Sequence, residues 1–120
     1  MSMSVRWFAL ACLLVACGDD GPQARVAPVT CAATAPTSCP DPPPRYADVA
    51  PVVAKRCVPC HFGLENGPWP LVTYGEIVDW ADVIRGDLLS CSMPPPDGGV
   101  TLEEPERQVI LAWLRCGHPR

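Results

Sequence analysis

Cys57-Val58-Pro59-Cys60-His61 sets two thiols three residues apart, with an imidazole directly behind the second. The stretch lies where a helical pattern gives way to a Gly- and Pro-rich connector. Upstream, Val49, Val53 and Cys57 recur every four residues. That spacing predicts a helix over 48–57, with Asp48 as N-cap and Pro51 in the first turn, where no intrahelical N–H is needed. Downstream, TYGEIVDWADVIR at 73–85 predicts a second helix. Thr73 and Glu76 form its capping box, Ile77, Trp80, Ala81 and Ile84 its apolar face, and Gly86 its stop. TLEEPERQVILAWLR at 101–115 predicts a third, opened by Thr101 and Glu104 with acids at its positive end. There Leu102, Val109, Ile110, Trp113 and Leu114 face inward, and Gly117 ends the helix. The connectors are 62–72 and 86–100, and no strand pattern is present. The expected fold class is all-α, three short helices in a domain spanning 45–120. Its apolar core would be thin, so something else must complete it.

Composition narrows the function. The 120 residues carry 9 Lys+Arg against 13 Asp+Glu, and the single lysine is Lys55. No track of cations exists to neutralise phosphates, which argues against nucleic acid as a partner. Pro at 16 and Cys at 8 indicate long non-repetitive stretches and covalent or metal staples. Only two histidines are present, His61 and His118.

The first 44 residues read as an address and a spacer. Arg6 supplies a positive n-region, and Trp7 to Ala16 form an apolar run too short to span a bilayer. The run ends in Leu14-Val15-Ala16-Cys17, which resembles the lipobox of bacterial lipoproteins. That resemblance implies a signal peptide over 1–16, cleavage before Cys17 and a diacylglycerol on its sulfur. The protein is then expected in the cell envelope, facing the periplasm or the outer surface. An ordinary secretory signal is the alternative; either route permits disulfides. Loss of Arg6 with the signal takes the formal charge from −4 to −5. Residues 17–44, with seven prolines in 18–44, read as a lipid-anchored, semi-extended tether. Cys31 and Cys39 within it are expected to pair locally, although spacing leaves other connectivities open.

C-x-x-C-H is the haem-attachment signature of c-type cytochromes. Two thiols one short turn apart match addition to the two haem vinyl groups, and the adjacent His61 then supplies the proximal iron ligand. Three other readings use the same residues. Cys57 and Cys60 form half a zinc site if His61, Cys91 or Cys116 completes it. They form a thioredoxin-like redox pair, though the βαβ pattern is missing. They also form a plain disulfide. Met93, followed by three prolines, is the candidate second iron ligand: a soft thioether on a loop with little entropy left to lose. His118 is its rival, read as a solvated surface residue near Pro119.

Residues 46–117 resemble a small bacterial His/Met monohaem cytochrome c domain. The resemblance rests on Asp48-Val49-Ala50-Pro51 leading into Cys57–His61, on Gly67-Pro68-Trp69-Pro70-Leu71, on Met93-Pro94-Pro95, and on Thr101-Leu102 through Trp113 to Gly117. It implies helices wrapped around one covalent haem c, bound through Cys57, Cys60, His61 and Met93. It also implies a crossing of the first and last helices, with Ala50 or Ala54 as the small residue facing Trp113. A Cys91–Cys116 disulfide departs from the general pattern. It would tie the methionine loop to the last helix, and closing about 25 residues would contribute about 3 kcal/mol. Trp69, Tyr74 and Trp80 are candidates to line the haem, and Arg85 to offset a propionate, with ordinary packing or solvation as the alternative for each.

The function expected is one-electron transfer by a membrane-tethered carrier, not substrate conversion by an enzyme. Its partner would be a redox protein met through an apolar rim or a basic face, since one lysine provides no cationic docking ring. Nothing points to an oligomer. The alternatives are a haem-based small-ligand sensor or peroxidase-like protein, and a structural zinc or disulfide module on a lipoprotein stalk.

Overall fold

Four helices form where apolar residues recur at helical spacing: α1 (Tyr46–Arg56), α2 (Tyr74–Asp79), α3 (Ala81–Ser90) and α4 (Glu104–Arg115). The structure, a computed structural model, describes residues 31, 33–63 and 69–120. Among them there is no strand, so the all-α class holds.

Each expected helix exists, with its ends shifted for identifiable reasons. Asp48 does cap α1, but as N3: its Oδ2 accepts the Arg45 N–H at 2.8 Å. Starting at Tyr46 leaves Pro51 inside the helix. Pro51 removes the bond to the Ala47 carbonyl, and both residues are exposed, so water can satisfy the oxygen. The Thr73–Glu76 capping box is formed as expected, with the Thr73 N–H donating to Glu76 Oε2 at 2.8 Å. The expected single helix over 73–85 is broken at Trp80, which has φ −107° and ψ 14°. Gly86 does not stop α3. The helix runs on to Ser90 and ends at Cys91 in the left-handed region, φ 56°. In α4 the box is Glu103 and Glu106, with the Glu103 N–H on Glu106 Oε2 at 3.0 Å. A start at Thr101 would place Pro105 at N4, where a helical N–H is required. A start at Glu104 puts it at N2, where none is.

α4 packs against both α1 and α3. Val49, Ile77, Ile110, Leu111 and Trp113 are each at most 1 % exposed and form the centre of the core. Tyr46 of α1 packs against Trp113, with ring centroids 6.2 Å apart; of the two alanines expected there, Ala54 is exposed and Ala50 half-buried. Tyr74 closes the aromatic group edge-on to both, 5.2 Å from Tyr46 and 6.0 Å from Trp113. The last residues strap this cluster. Tyr74 Oη donates to the His118 carbonyl at 2.8 Å, and the Trp113 indole N–H to the Pro119 carbonyl at 2.8 Å. The Tyr46 N–H donates to that same Pro119 oxygen at 2.9 Å. Arg107, the buried cation of α4, is paired: Nη1 donates to the Leu88 carbonyl at 2.7 Å and Nε meets Glu104 at 3.3 Å.

The disulfides correct the expected pairing. Cys31 is bonded to Cys91 and Cys39 to Cys116, with Cα–Cα distances of 5.7 and 5.0 Å. Neither the local Cys31–Cys39 loop nor the Cys91–Cys116 tie is formed. The extension of α3 past Gly86 carries Cys91 to the helix end, beside the incoming segment. The segment read as spacer is thus fastened to the helical body at Cys31 and at Cys39. Thr34 and Thr37 carbonyls also accept from Gln108 and Arg115 of α4, both at 3.1 Å. Residues 1–16, expected to form a signal peptide, and Cys17, the expected lipidation site, lie outside the described residues.

Candidate functional site

The C-x-x-C-H stretch continues the turn of α1. Amide groups of Cys57 and Val58 donate to the Val53 carbonyl, and those of Cys60 and His61 to the Cys57 carbonyl, at 2.8 to 3.1 Å. This winding stacks Cys57 and Cys60 one turn apart. The His61 carbonyl then accepts the Leu71 N–H at 2.8 Å, which closes the connector back onto the motif.

His61 is oriented from behind. Its Nδ1 lies 3.2 Å from the Trp69 carbonyl oxygen. A carbonyl only accepts, so Nδ1 is the donor; in the neutral ring this leaves the lone pair on Nε2, the tautomer suited to a metal ligand. Trp69 presents that carbonyl from a left-handed backbone, φ 64°, a conformation costing about 1 kcal/mol or more for a bulky residue. Its ring packs at a tilt of 40° against that of Trp80, centroids 4.7 Å apart, at the residue where the expected second helix breaks.

Cys57, Cys60, His61 and Met93 all line one cavity of about 260 Å³. Leu71, Trp80, Ile84, Leu88, Pro94 and Pro95 make most of the remaining wall apolar. Cys60 is exposed, Cys57 and His61 are half-buried, and Met93 is 38 % exposed, so the cavity opens on its motif and methionine sides. The end of α3 sets the methionine loop: Ser92 and Met93 N–H groups reach the Asp87 carbonyl at 3.1 and 3.4 Å, and the Ser92 hydroxyl donates to Asp87 Oδ1 at 2.8 Å. The Cys31–Cys91 bridge is fixed two residues before Met93.

Burial, with the neighbouring Cys60 adding to it, pushes the Cys57 thiol up to about 11. A nucleophilic redox pair needs the opposite shift, so this disfavours the thioredoxin-like reading. Cys57 and Cys60 are not bonded to each other. Cys91 and Cys116, two of the residues that could have completed a zinc site, are consumed in disulfides. Among the described residues no three His, Cys, Asp or Glu side chains gather to hold a metal ion.

The other expected residues divide. Trp69 and Trp80 line the cavity; Tyr74 does not and belongs to the strap. His118 does not line it either. It is half-buried rather than solvated, its ring 5.1 Å edge-on to Trp113, and it borders a separate hollow of about 140 Å³ with Arg85 and Arg115. Gly67 and Pro68 lie outside the described residues. Sequence reasoning missed Arg56, which lines the cavity and forks onto Glu106 of α4 at 2.9 and 3.0 Å. Its place immediately before Cys57 was the available signal. Among the described residues no helix is long and apolar enough to cross a membrane. Comparison with protein-family models, with curated proteins and with solved structures finds no match to this chain.

Proposed function

We propose that the protein is an exported, lipid-anchored electron carrier. It would hold haem c covalently through Cys57 and Cys60, with His61 and Met93 as the axial ligands. One observation carries the reading: two thiols, an imidazole whose Nδ1 is engaged by the Trp69 carbonyl and a thioether border a single apolar cavity. That donor set matches the group in kind and number. Bound there, haem would supply a one-electron Fe(III)/Fe(II) couple, and a methionine ligand would raise its potential relative to a second histidine.

The chain's own part is positioning and exclusion of water. The Trp69 carbonyl fixes the His61 ring. Leu71, Trp80, Ile84 and Leu88 supply an apolar wall, which disfavours uncompensated charge and keeps water out. Asp87 and the Cys31–Cys91 bridge hold the Met93 loop, so little freedom is lost when its sulfur is used as a ligand. No side chain has to act as acid, base or nucleophile.

The test is the optical spectrum of protein matured with a cytochrome c assembly pathway. A haemochrome assay reads thioether attachment, and the weak far-red sulfur-to-iron band of the oxidised form reads Met93. Met93→Ala is expected to lose that band and keep its haem; an unchanged spectrum rejects the ligand assignment. The exposure of Met93 favours a second reading, in which its sulfur is displaceable and the iron binds a small ligand. Carbon monoxide binding to the reduced protein at neutral pH would select it.

A further inference from the structure

Positive charge is scarce on this chain and unevenly committed. Arg56 and Arg107 are ion-paired, with Glu106 and Glu104. Arg120 lies over the Tyr74 ring, 4.2 Å from its centroid. Arg85 and Arg115 have no carboxylate partner among the described residues, and both line the second hollow, of about 140 Å³. That hollow is separate from the cavity at the C-x-x-C-H motif. α3 serves both through different residues: Val83, Ile84, Asp87 and Leu88 line the cavity, and Ala81, Asp82 and Arg85 the hollow. Leu114 and Arg115 at the end of α4 and His118 of the strap complete its wall.

Two of the wall's polar groups are held in place from outside it. Arg115 Nη2 donates to the Thr37 carbonyl at 3.1 Å, and the next residue, Cys116, is bridged to Cys39. That neutral oxygen takes one of five guanidinium N–H groups and leaves the charge uncompensated. His118 stands in the left-handed region, φ 66°, which costs about 1 kcal/mol or more. Its N–H donates to the Trp113 carbonyl at 3.2 Å, and its carbonyl accepts the Tyr74 hydroxyl at 2.8 Å. The strained backbone is thus fixed on both sides, and the half-buried ring is set against Trp113 at the edge of the hollow.

We propose that this hollow binds a phosphate-type oxyanion, either inorganic phosphate or the phosphate monoester of a lipid headgroup. Two guanidinium forks match the oxygens of such a group, and His118 adds an imidazole donor. The volume admits several waters, and so a tetrahedral anion in their place. Asp82 is the one carboxylate on the wall; it is exposed and ion-paired with none of the three. Arg85 and Arg115 outweigh it, which leaves a locally positive hollow on a chain of formal charge −4. The site stands on its own residues and does not depend on the haem reading.

The test is heteronuclear NMR of the full chain carrying Cys17→Ser, which has no lipid of its own, as inorganic phosphate replaces chloride at constant ionic strength. Saturable shifts are expected at Arg85, Gly117 and the His118 ring. Arg85 is exposed and makes no bond among the described residues, so Arg85→Gln keeps the fold; it is expected to weaken phosphate at least about tenfold, the scale of a charge-assisted hydrogen bond. Asp82→Asn removes the one repelling charge and is expected to tighten it about threefold. Lys55→Gln makes the same charge change as Arg85→Gln at an exposed site off the hollow and should leave affinity unchanged. A second arm mixes the same proteins with phosphatidylcholine vesicles, with and without phosphatidic acid. Flotation that needs phosphatidic acid and is lost in Arg85→Gln supports the site with a headgroup as ligand; saturable shifts without flotation support it with the free anion. Linear shifts with no flotation, or equal weakening by Lys55→Gln and Arg85→Gln, overturn it.

Discussion

Replacing Cys39 and Cys116 together by serine separates the observed disulfide pattern from the one the sequence spacing suggests. The two bridges interleave, at separations of 60 and 77 residues. With Cys31–Cys91 in place, the path from Cys39 to Cys116 runs back to Cys31, across the bridge, and on from Cys91. That effective loop is about 33 residues, and its closure entropy corresponds to about 3.7 kcal/mol. The double variant is expected to unfold in urea with that much less free energy. Thiol titration of the denatured variant gives an independent reading. In the observed pattern Cys31 and Cys91 remain bonded, so no new thiols appear. In a Cys31–Cys39 and Cys91–Cys116 pattern the same two substitutions would break both bridges and expose two. Two new thiols, or a stability loss under about 1 kcal/mol, would refute the reasoning.

Three further expectations follow from other contacts. Trp113→Ala removes a fully buried ring and the indole N–H bonded to the Pro119 carbonyl, and is expected to cost about 3–5 kcal/mol in equilibrium unfolding; a loss under about 1.5 kcal/mol would mean the cluster is not the centre of the core. The Arg56 guanidinium, with the Glu103 N–H assisting, holds the Glu106 carboxyl below its ordinary range. A lowered carboxyl contributes stability above its ordinary pKa and loses it as pH falls through the folded value. The stability gap between wild type and Arg56→Gln, measured by urea unfolding, should therefore be present at pH 7 and close on acidification; a gap that widens in acid contradicts the pairing. In protein made without haem, iodoacetamide at pH 8 is expected to label Cys60 well before Cys57, because Cys57 is half-buried and its thiol is raised to about 11. Mass mapping that finds Cys57 labelled first would show the opposite environment.

Much of this architecture is legible in residue spacing. Val49 and Val53 are buried where their four-residue repeat places them, and the Thr73–Glu76 box starts its helix as written. What spacing could not supply is competition between local signals. Gly86 is a reasonable stop, yet Leu88 two residues later is buried at 4 % exposure, and packing outweighs the glycine's cost of about 1 kcal/mol. Two overlapping capping boxes, Thr101–Glu104 and Glu103–Glu106, differ only in what they demand of Pro105. Disulfide connectivity was open in principle, since four cysteines permit three patterns. The candidate site was more legible, because Cys57, Cys60 and His61 are neighbours in sequence, and Met93 was singled out by its prolines. Arg56 and the Trp69 carbonyl were not, since a backbone oxygen turned by a left-handed residue leaves no trace in side-chain chemistry.

The strap at the far end of the chain gives folding an order. Carbonyls of His118 and Pro119 satisfy a tyrosine hydroxyl from α2, an indole from α4 and an amide from α1. Until those two residues arrive, donors on three helices have only water to receive them. A polypeptide emerging amino end first can assemble its aromatic nucleus but cannot finish it. A product cut after Gly117 would keep all of Cys57–His61 and still be prone to proteolysis, the knot left untied.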